Sequence, residues 1–376
     1  MTTILLAGMV FWLAYSNGAN DNFKGVATLH GSGTLRYRTA LTWATLATVA
    51  GSALSIMLAS GLADSFRGKG LVTPALAHSN TLLIAIAASG AITILTATFL
   101  GMPTSTTHAL TGALAGIALV VEGGHANLGK LWGSFFLPLL VSPLLAIGIA
   151  ATVYPVLHRL RCRLGVTSDT CVCVGNPEPV PVRLLEHGSG LAAESTSGRP
   201  SLAVGTRAQC LRKYRGDVVG VGAQGLVDSV HALSGVSVCF ARAVNDTPKI
   251  AVLLLAAGAV GATWKLALVA TAMAIGGWLH SRKVAETMSK RITQLNAGQG
   301  LTGNLVTAAL VLGASRLGVP VSTTHVSCGA IFGIGMVGGG ARWRTIGHIL
   351  LTWLVTLPMG AVLGAAIYMG LTHGSI

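Results

Sequence analysis

Residues 101–116 read GMPTSTTHALTGALAG, and residues 318–333 read GVPVSTTHVSCGAIFG. In each stretch a proline, Pro103 or Pro320, precedes a Ser-Thr-Thr-His packet that opens a glycine- and alanine-rich apolar run. Proline disfavours helix at the residue before it, so the first stretch predicts a helix ending near Met102. Serine and threonine are good N-caps, so a new helix starts at the hydroxyls. Ser105, Thr106 and Thr107, and likewise Ser322, Thr323 and Thr324, then converge with free backbone N–H groups and the positive end of a helix dipole, an arrangement suited to a tetrahedral oxyanion. The plainer alternative is that each hydroxyl bonds back to its own helix carbonyl. A single copy favours that alternative, whereas two copies at matching places favour a binding role. His108 and His325 are expected to bond nearby backbone and hold the loops in shape.

The surrounding sequence sets the solvent. Of 376 residues 52% are hydrophobic and only 10% charged, with mean hydropathy +0.69, against roughly 25% charged in soluble domains. Apolar runs recur near 2–19, 39–61, 81–101, 107–121, 131–157, 218–241, 249–261, 264–280, 300–315, 320–337 and 346–371. Several exceed the ~20 residues of a spanning helix, and the shorter ones predict half-helices or re-entrant hairpins. The expected fold is an all-α polytopic membrane protein of about 10–12 membrane segments. The 49 glycines and 5% aromatics suit close helix packing. Residues 1–14 lack a basic leader and run directly into polar sequence, so they are expected to form a first membrane helix rather than a signal peptide. The net charge of +14 comes from Lys and Arg clustered in loops, which argues for topology by the positive-inside rule and against nucleic-acid binding.

The chain repeats. Asn20-Asp21-x-x-Lys24 precedes the first STTH motif and Asn245-Asp246-x-x-Lys249 the second; Asp21 to Ser105 spans 84 positions and Asp246 to Ser322 76. Repeats with broken helices at matching places are the signature of a secondary transporter whose site lies at the repeat interface. Three parts are expected: a first transmembrane repeat at 1–157, a basic cytoplasmic linker at 158–217, and a second repeat at 218–376. The linker is rich in Pro, Ser and Gly and carries nine basic against five acidic residues. It also holds Cys162, Cys171, Cys173 and Cys210, whose spacing is not that of an established zinc module. No metal is expected there; reduced cytosolic thiols or a redox-sensitive surface fit better. Cys239 and Cys328 read as small core residues.

Of eleven acidic residues only Asp21, Asp228 and Asp246 fall in or beside apolar segments. An intramembrane carboxylate is a functional candidate because leaving it unpaired there is costly. Lys24 and Lys249 follow Asp21 and Asp246 by three residues, so an ion pair is expected in each repeat. Asp228 with His231 reads as a proton relay or a polar helix contact, and Gln299 and Asn304 as further cavity-lining candidates.

At SNGANDN (16–22), HGSGTL (30–35), AVNDTPK (243–249) and the two STTH stretches, the chain resembles the inorganic phosphate transporter family, also called phosphate permeases. The resemblance implies two inverted-topology repeats with phosphate held between them. It also implies that Ser105, Thr106, Thr107, Ser322, Thr323 and Thr324 contact phosphate, with Asn20, Asp21, Asn245 and Asp246 forming phosphate and cation sites. One departure stands out. Sodium-coupled members read Asn-Asp-x-x-Asn, whereas both repeats here place Lys last, and an ammonium cannot ligate sodium. The expectation is ion-coupled phosphate uptake by alternating access, with Lys24 and Lys249 replacing sodium ions and coupling to protons or to nothing; Na⁺ is the less favoured coupling ion. A sulfate or other oxyanion transporter and a membrane phosphate sensor are the alternatives. Two symmetric hydroxyl sets fit binding better than a hydrolytic triad, so no enzyme and no cofactor are expected. The expected location is the cell membrane, with phosphate and lipid as partners and a homo-oligomer allowed.

Overall fold

The computed structural model describes all residues except 1, 60–61, 63–65, 67–70, 123–126, 176–200, 215–218, 256–260 and 374–376. The chain forms two compact units: Met1–Pro155 with His231–Ile376, and Val156–Val230. The first unit is built from α1 (Thr2–Asp21), α2 (Ala27–Gly31), α3 (Tyr37–Leu58), α4 (Asn80–Phe99), α5 (Thr106–Glu122) and most of α6 (Leu137–Arg163). A later run of helices completes it. We label the helices of the rest of the chain α7 (Arg207–Lys213), α8 (Ala223–Leu255), α9 (Ala262–His280), α10 (Arg282–Glu286), α11 (Ala297–Arg316), α12 (Thr323–Val337) and α13 (Trp343–His373).

Among the described residues three helices are long and apolar enough to cross a membrane: Asn80–Phe99, Gly129–Arg163 and Trp343–His373. The two helices that open at the hydroxyl packets, α5 and α12, are apolar but shorter, at 17 and 15 residues. Their abrupt starts follow from local sequence. α4 stops because Gly101 adopts φ +71°, with Gly101 N–H donating to the Thr98 carbonyl and Met102 N–H to the Ala97 carbonyl. Gly318, at φ +67°, ends α11 the same way through Ser315 and Ala314. This is the Schellman stop that only glycine adopts without strain. Pro103 and Pro320 follow, and then the chain turns into the next helix.

Small residues let the backbones approach closely. Gly112 and Gly116 of α5 face Leu357 and Ala361 of α13, and Gly360 and Gly364 of α13 face Ala109 and Ala113 of α5. A Cβ at Gly112, Gly116 or Gly360 would collide with a backbone carbonyl of the opposing helix. With no hydrophobic gain available between helices in lipid, such close van der Waals contact is what holds a pair together.

The fold is not purely helical. Val156–Val230 contains a three-stranded antiparallel sheet in the order β2-β1-β3, with β1 Thr170–Gly175, β2 Ser201–Thr206 and β3 Val219–Gly222, followed on the sequence side of β2 by α7. This corrects the all-α expectation within the segment read as a linker and, at β3, in the first residues of the apolar run read at 218–241. The signal was the short run Thr-Cys-Val-Cys-Val, rich in β-branched residues that favour a strand. The proline-bearing stretch 176–200 on which the linker reading leaned lies outside the described residues. The two Asn-Asp motifs also differ in setting: Asp21 closes α1, whereas Asp246 lies inside continuous α8, with Pro248 tolerated in the same helix.

Candidate functional site

Buried polar groups rarely stay without partners, and the polar residues of the two motifs join in one hydrogen-bonded cluster. Ser105, Thr106, Thr107, Ser322, Thr323 and Thr324 are all at most 6% exposed, and Asn20, Asp21, Lys24, Asn245, Asp246 and Lys249 at most 3%. The serines serve their own helices. Ser105 Oγ accepts from His108 N–H at 3.1 Å and Ser322 Oγ from His325 N–H at 3.2 Å, so each is the N-cap that its position predicts.

The third hydroxyl of each packet reaches across to the other half. Lys24 Nζ pairs with Asp21, donates to the Thr104 carbonyl at 2.7 Å and donates to Thr324 Oγ1. Lys249 Nζ pairs with Asp246 at 3.4 Å, donates to the Val321 carbonyl at 2.9 Å and to Thr107 Oγ1 at 2.9 Å. Thr104 and Val321 occupy the same place in their repeats, one residue after the proline. The hydroxyls return the exchange: Thr324 Oγ1 donates to the Thr104 carbonyl at 2.6 Å and Thr107 Oγ1 to the Val321 carbonyl at 3.2 Å. Each ammonium is therefore bound by a carboxylate, a carbonyl and a threonine hydroxyl, and each threonine comes from the opposite half.

The asparagines fix the loops. Asn20 donates to Thr98 Oγ1 at 2.9 Å and to the Met102 carbonyl at 3.1 Å, and accepts from Thr104 N–H at 3.0 Å. Asn245 does the equivalent work, donating to the Val321 carbonyl at 3.2 Å and accepting from Ser315 Oγ at 3.2 Å. Both side chains hold backbone and helix ends, and Asn245 also donates to Asp246 at 3.0 Å. Thr106 Oγ1 accepts from Asn17 at 2.8 Å. Thr323 is buried at the start of α12.

Two residues that the sequence reading passed over complete the cluster. Asn17 and Arg242 stand four residues before Asp21 and Asp246, one helical turn away on the same face. Asn17 Nδ2 lies 3.3 Å from an oxygen of each aspartate and so bridges the two halves. Arg242 donates to Asn17 at 3.2 Å, to Asn22 at 3.4 Å and to Thr48 at 2.6 Å, all neutral acceptors. No carboxylate lies within ion-pair distance of Arg242 among the described residues. The signal was available, as an arginine inside an apolar run with the spacing of a helix turn from an aspartate. Two carboxylates against Lys24, Lys249 and Arg242 leave the cluster a formal charge of +1. Thr104 Oγ1 and Arg242 Nε are buried without a hydrogen-bond partner among the described residues.

The histidines tie the packets to more distant helices than expected. His108 Nδ1–H donates to the Trp353 carbonyl at 3.2 Å and His325 Nδ1–H to the Leu139 carbonyl at 3.3 Å, since a carbonyl can only accept. Their rings meet edge to face at 4.3 Å, and His325 stacks on Trp353. Asp228 accepts from exposed Gln224, while buried His231 meets Thr28 Oγ1 at 3.1 Å. Asn304 joins that polar contact through Thr28 and Ser234, and Gln299 accepts from the N–H of Asn296, the N-cap of α11, and donates to Tyr154.

The chain is similar over most of its length to known proteins. An inorganic phosphate transporter 2-1 of Arabidopsis thaliana, described as chloroplastic, is 28% identical over 421 residues, covering 95% of this chain and 70% of its own length. A probable low-affinity inorganic phosphate transporter of Bacillus subtilis is 26% identical, covering 97% of this chain and 96% of its own. A solved structure described as the sodium-dependent phosphate transporter superposes with a TM-score of 0.75 at 21% identity, covering 99% of both chains, and shares the fold. The relatives are named as transporters and permeases, not enzymes. Residues 17–364, which hold every polar side chain of the cluster, match the phosphate transporter family, and the chain belongs to that membrane transporter family.

Proposed function

We propose that this protein moves inorganic phosphate across the cell membrane by alternating access, with no sodium ion in the cycle. The observation that carries the reading is the crossed exchange of Lys24 and Lys249. Each ammonium sits in a carboxylate, carbonyl and hydroxyl set, the oxygen-donor type that a hard cation takes. A fixed ammonium in each position supplies the charge that a bound ion supplies elsewhere, and coupling is then to protons or absent.

The anion is received by Thr106, Thr107, Thr323 and Thr324 and the helix starts behind them, with Ser105 and Ser322 holding those starts in place. Asn20 and Asn245 fix the loops, and Asp21 and Asp246 hold the ammoniums. The unsatisfied Thr104 Oγ1 and Arg242 Nε belong to the same cluster and are donors an anion would use. A cluster charge of +1 is neutralised by one dihydrogen phosphate, which favours the monoanion over a dianion such as sulfate. In this reading residues 1–157 and 218–376 are inverted-topology repeats, α5 and α12 belong to re-entrant hairpins among about 10–12 membrane segments, and residues 158–217 form a cytoplasmic linker. Lipid surrounds the helices, and the chain is free to self-associate.

The test is uptake of labelled phosphate into proteoliposomes in sodium-free buffer, with sulfate as competitor. Uptake should persist without sodium, and sulfate should compete poorly. Transport that stops without sodium and ignores a proton gradient defeats the coupling assignment, and equal uptake of sulfate defeats the choice of anion.

A further inference from the structure

The unit Val156–Val230 shares no residue with the cluster above, yet it holds four of the six cysteines and brings three of them together. Cys171 and Cys173 are two residues apart on β1, so their sulfurs lie on one face of the sheet, 7% and 0% exposed. Cys210 of α7, 2% exposed, packs onto that face beside Tyr214. Cys173 and Cys210 form a disulfide, Cys171 is a free thiol, and the three sulfurs all lie within 4.8 Å of one another. The opposing strand leaves room for them. Gly220 is the register partner of Cys173, and a Cβ there would come to 2.9 Å from Cys171 Sγ and 3.6 Å from Cys173 Sγ. A cavity of about 530 Å³ opens beside the sulfurs, lined by Asp169, Cys171, Arg207 and Cys210 among others.

We propose that Cys171, Cys173 and Cys210 form a redox-gated site for a thiophilic d¹⁰ cation such as zinc, shut by the disulfide and opened by its reduction. In the oxidised form two of the three sulfurs are bonded to each other, and only Cys171 could become a thiolate. A dithiol reductant, the class that keeps cytosolic thiols reduced, transfers two electrons and two protons to Cys173 and Cys210 and leaves as its own disulfide. Three thiols then surround one point. Zinc takes them as thiolates with loss of three protons, forming Zn–S bonds of about 2.3 Å that set the sulfurs about 3.8 Å apart. Reduction frees the Cys173 and Cys210 sulfurs to move apart to that spacing. The cavity beside the sulfurs has room for a water at the fourth position. Spacing along the chain argued against a metal because Cys210 stands 37 residues from Cys173, and only sheet pairing and α7 bring them together.

The test uses full-length protein in detergent, with bound zinc measured by competition against a chromogenic chelator. Protein reduced by a phosphine and desalted without oxygen should bind one zinc per chain, and oxidised protein should bind none at the same concentrations. Cys171→Ser leaves the disulfide pair intact and should weaken zinc binding by the reduced protein at least about tenfold, no less than the loss of an outer-shell partner costs. Cys162→Ser removes an exposed thiol beside His158 and should change nothing. Zinc bound equally by both redox forms, no zinc on the reduced form, or loss through Cys162→Ser with Cys171→Ser unaffected would each overturn the proposal. The comparison of redox forms needs no variant, and none of these results bears on phosphate transport.

Discussion

Replacing Lys249 by Asn restores in one repeat the Asn-Asp-x-x-Asn pattern and should convert a fixed ammonium site into a sodium site. The substitution removes the donor that now reaches Thr107 Oγ1 and the Val321 carbonyl, each at 2.9 Å, and Asp246 at 3.4 Å. Breaking a buried ion pair from one side costs about 3–5 kcal/mol. The lower end applies here, because Asn245 at 3.0 Å and Asn17 at 3.3 Å still donate to Asp246. Sodium binding at the emptied oxygen set would offset part of that loss, by about 2.7 kcal/mol when sodium is at 100 times its Kd. Thermal unfolding in detergent should therefore show a lowered Tm for Lys249→Asn that recovers with sodium chloride and not with choline chloride at equal ionic strength. The native protein should respond to neither salt specifically. A variant that ignores sodium, or a native protein stabilised by it to the same degree, would refute the idea that the ammonium occupies a cation position.

Arg242→Gln lowers the formal charge of the cluster from +1 to zero and should reduce labelled phosphate uptake at least about tenfold, the effect of roughly 1.4 kcal/mol in anion binding; uptake equal to the native protein's would show that Arg242 is only structural. Thr107→Val and Thr324→Val should each lower uptake, and a double-mutant cycle of Thr107→Val with Lys249→Asn should show a coupling energy of about 0.5–3 kcal/mol in unfolding measurements, whereas additive effects would separate the two residues. Ser105→Ala removes the cap on His108 N–H and should cost about 1 kcal/mol of stability while leaving the substrate preference unchanged in competition assays. Gly116→Leu drives a side chain into the backbone at Ala361, and size-exclusion chromatography should show aggregated protein in place of a sharp peak.

Sequence determined whatever depends on near neighbours along the chain. Gly101-x-Pro103 and Gly318-x-Pro320 stop a helix locally, Ser105 and Ser322 start the next, and Asp with Lys three residues on makes an ion pair within a helical turn; each is a short-range preference written in a few residues. The apolar composition likewise sets the solvent, because buried or lipid-facing backbone leaves helices as the economical solution. Tertiary structure decided which groups meet across long separations. Thr324 stands 300 residues from the ammonium it receives and Thr107 142 residues from its own, and no local preference specifies either contact. The same holds for Arg242, which meets Asn17 across 225 residues, and for the sheet around Cys171, Cys173 and Cys210, whose strands β1 and β2 are joined through long intervening sequence. A hydrogen bond between distant residues is selected only when packing has already fixed both backbones, so the cluster's members could be read from the chain but their pairing could not.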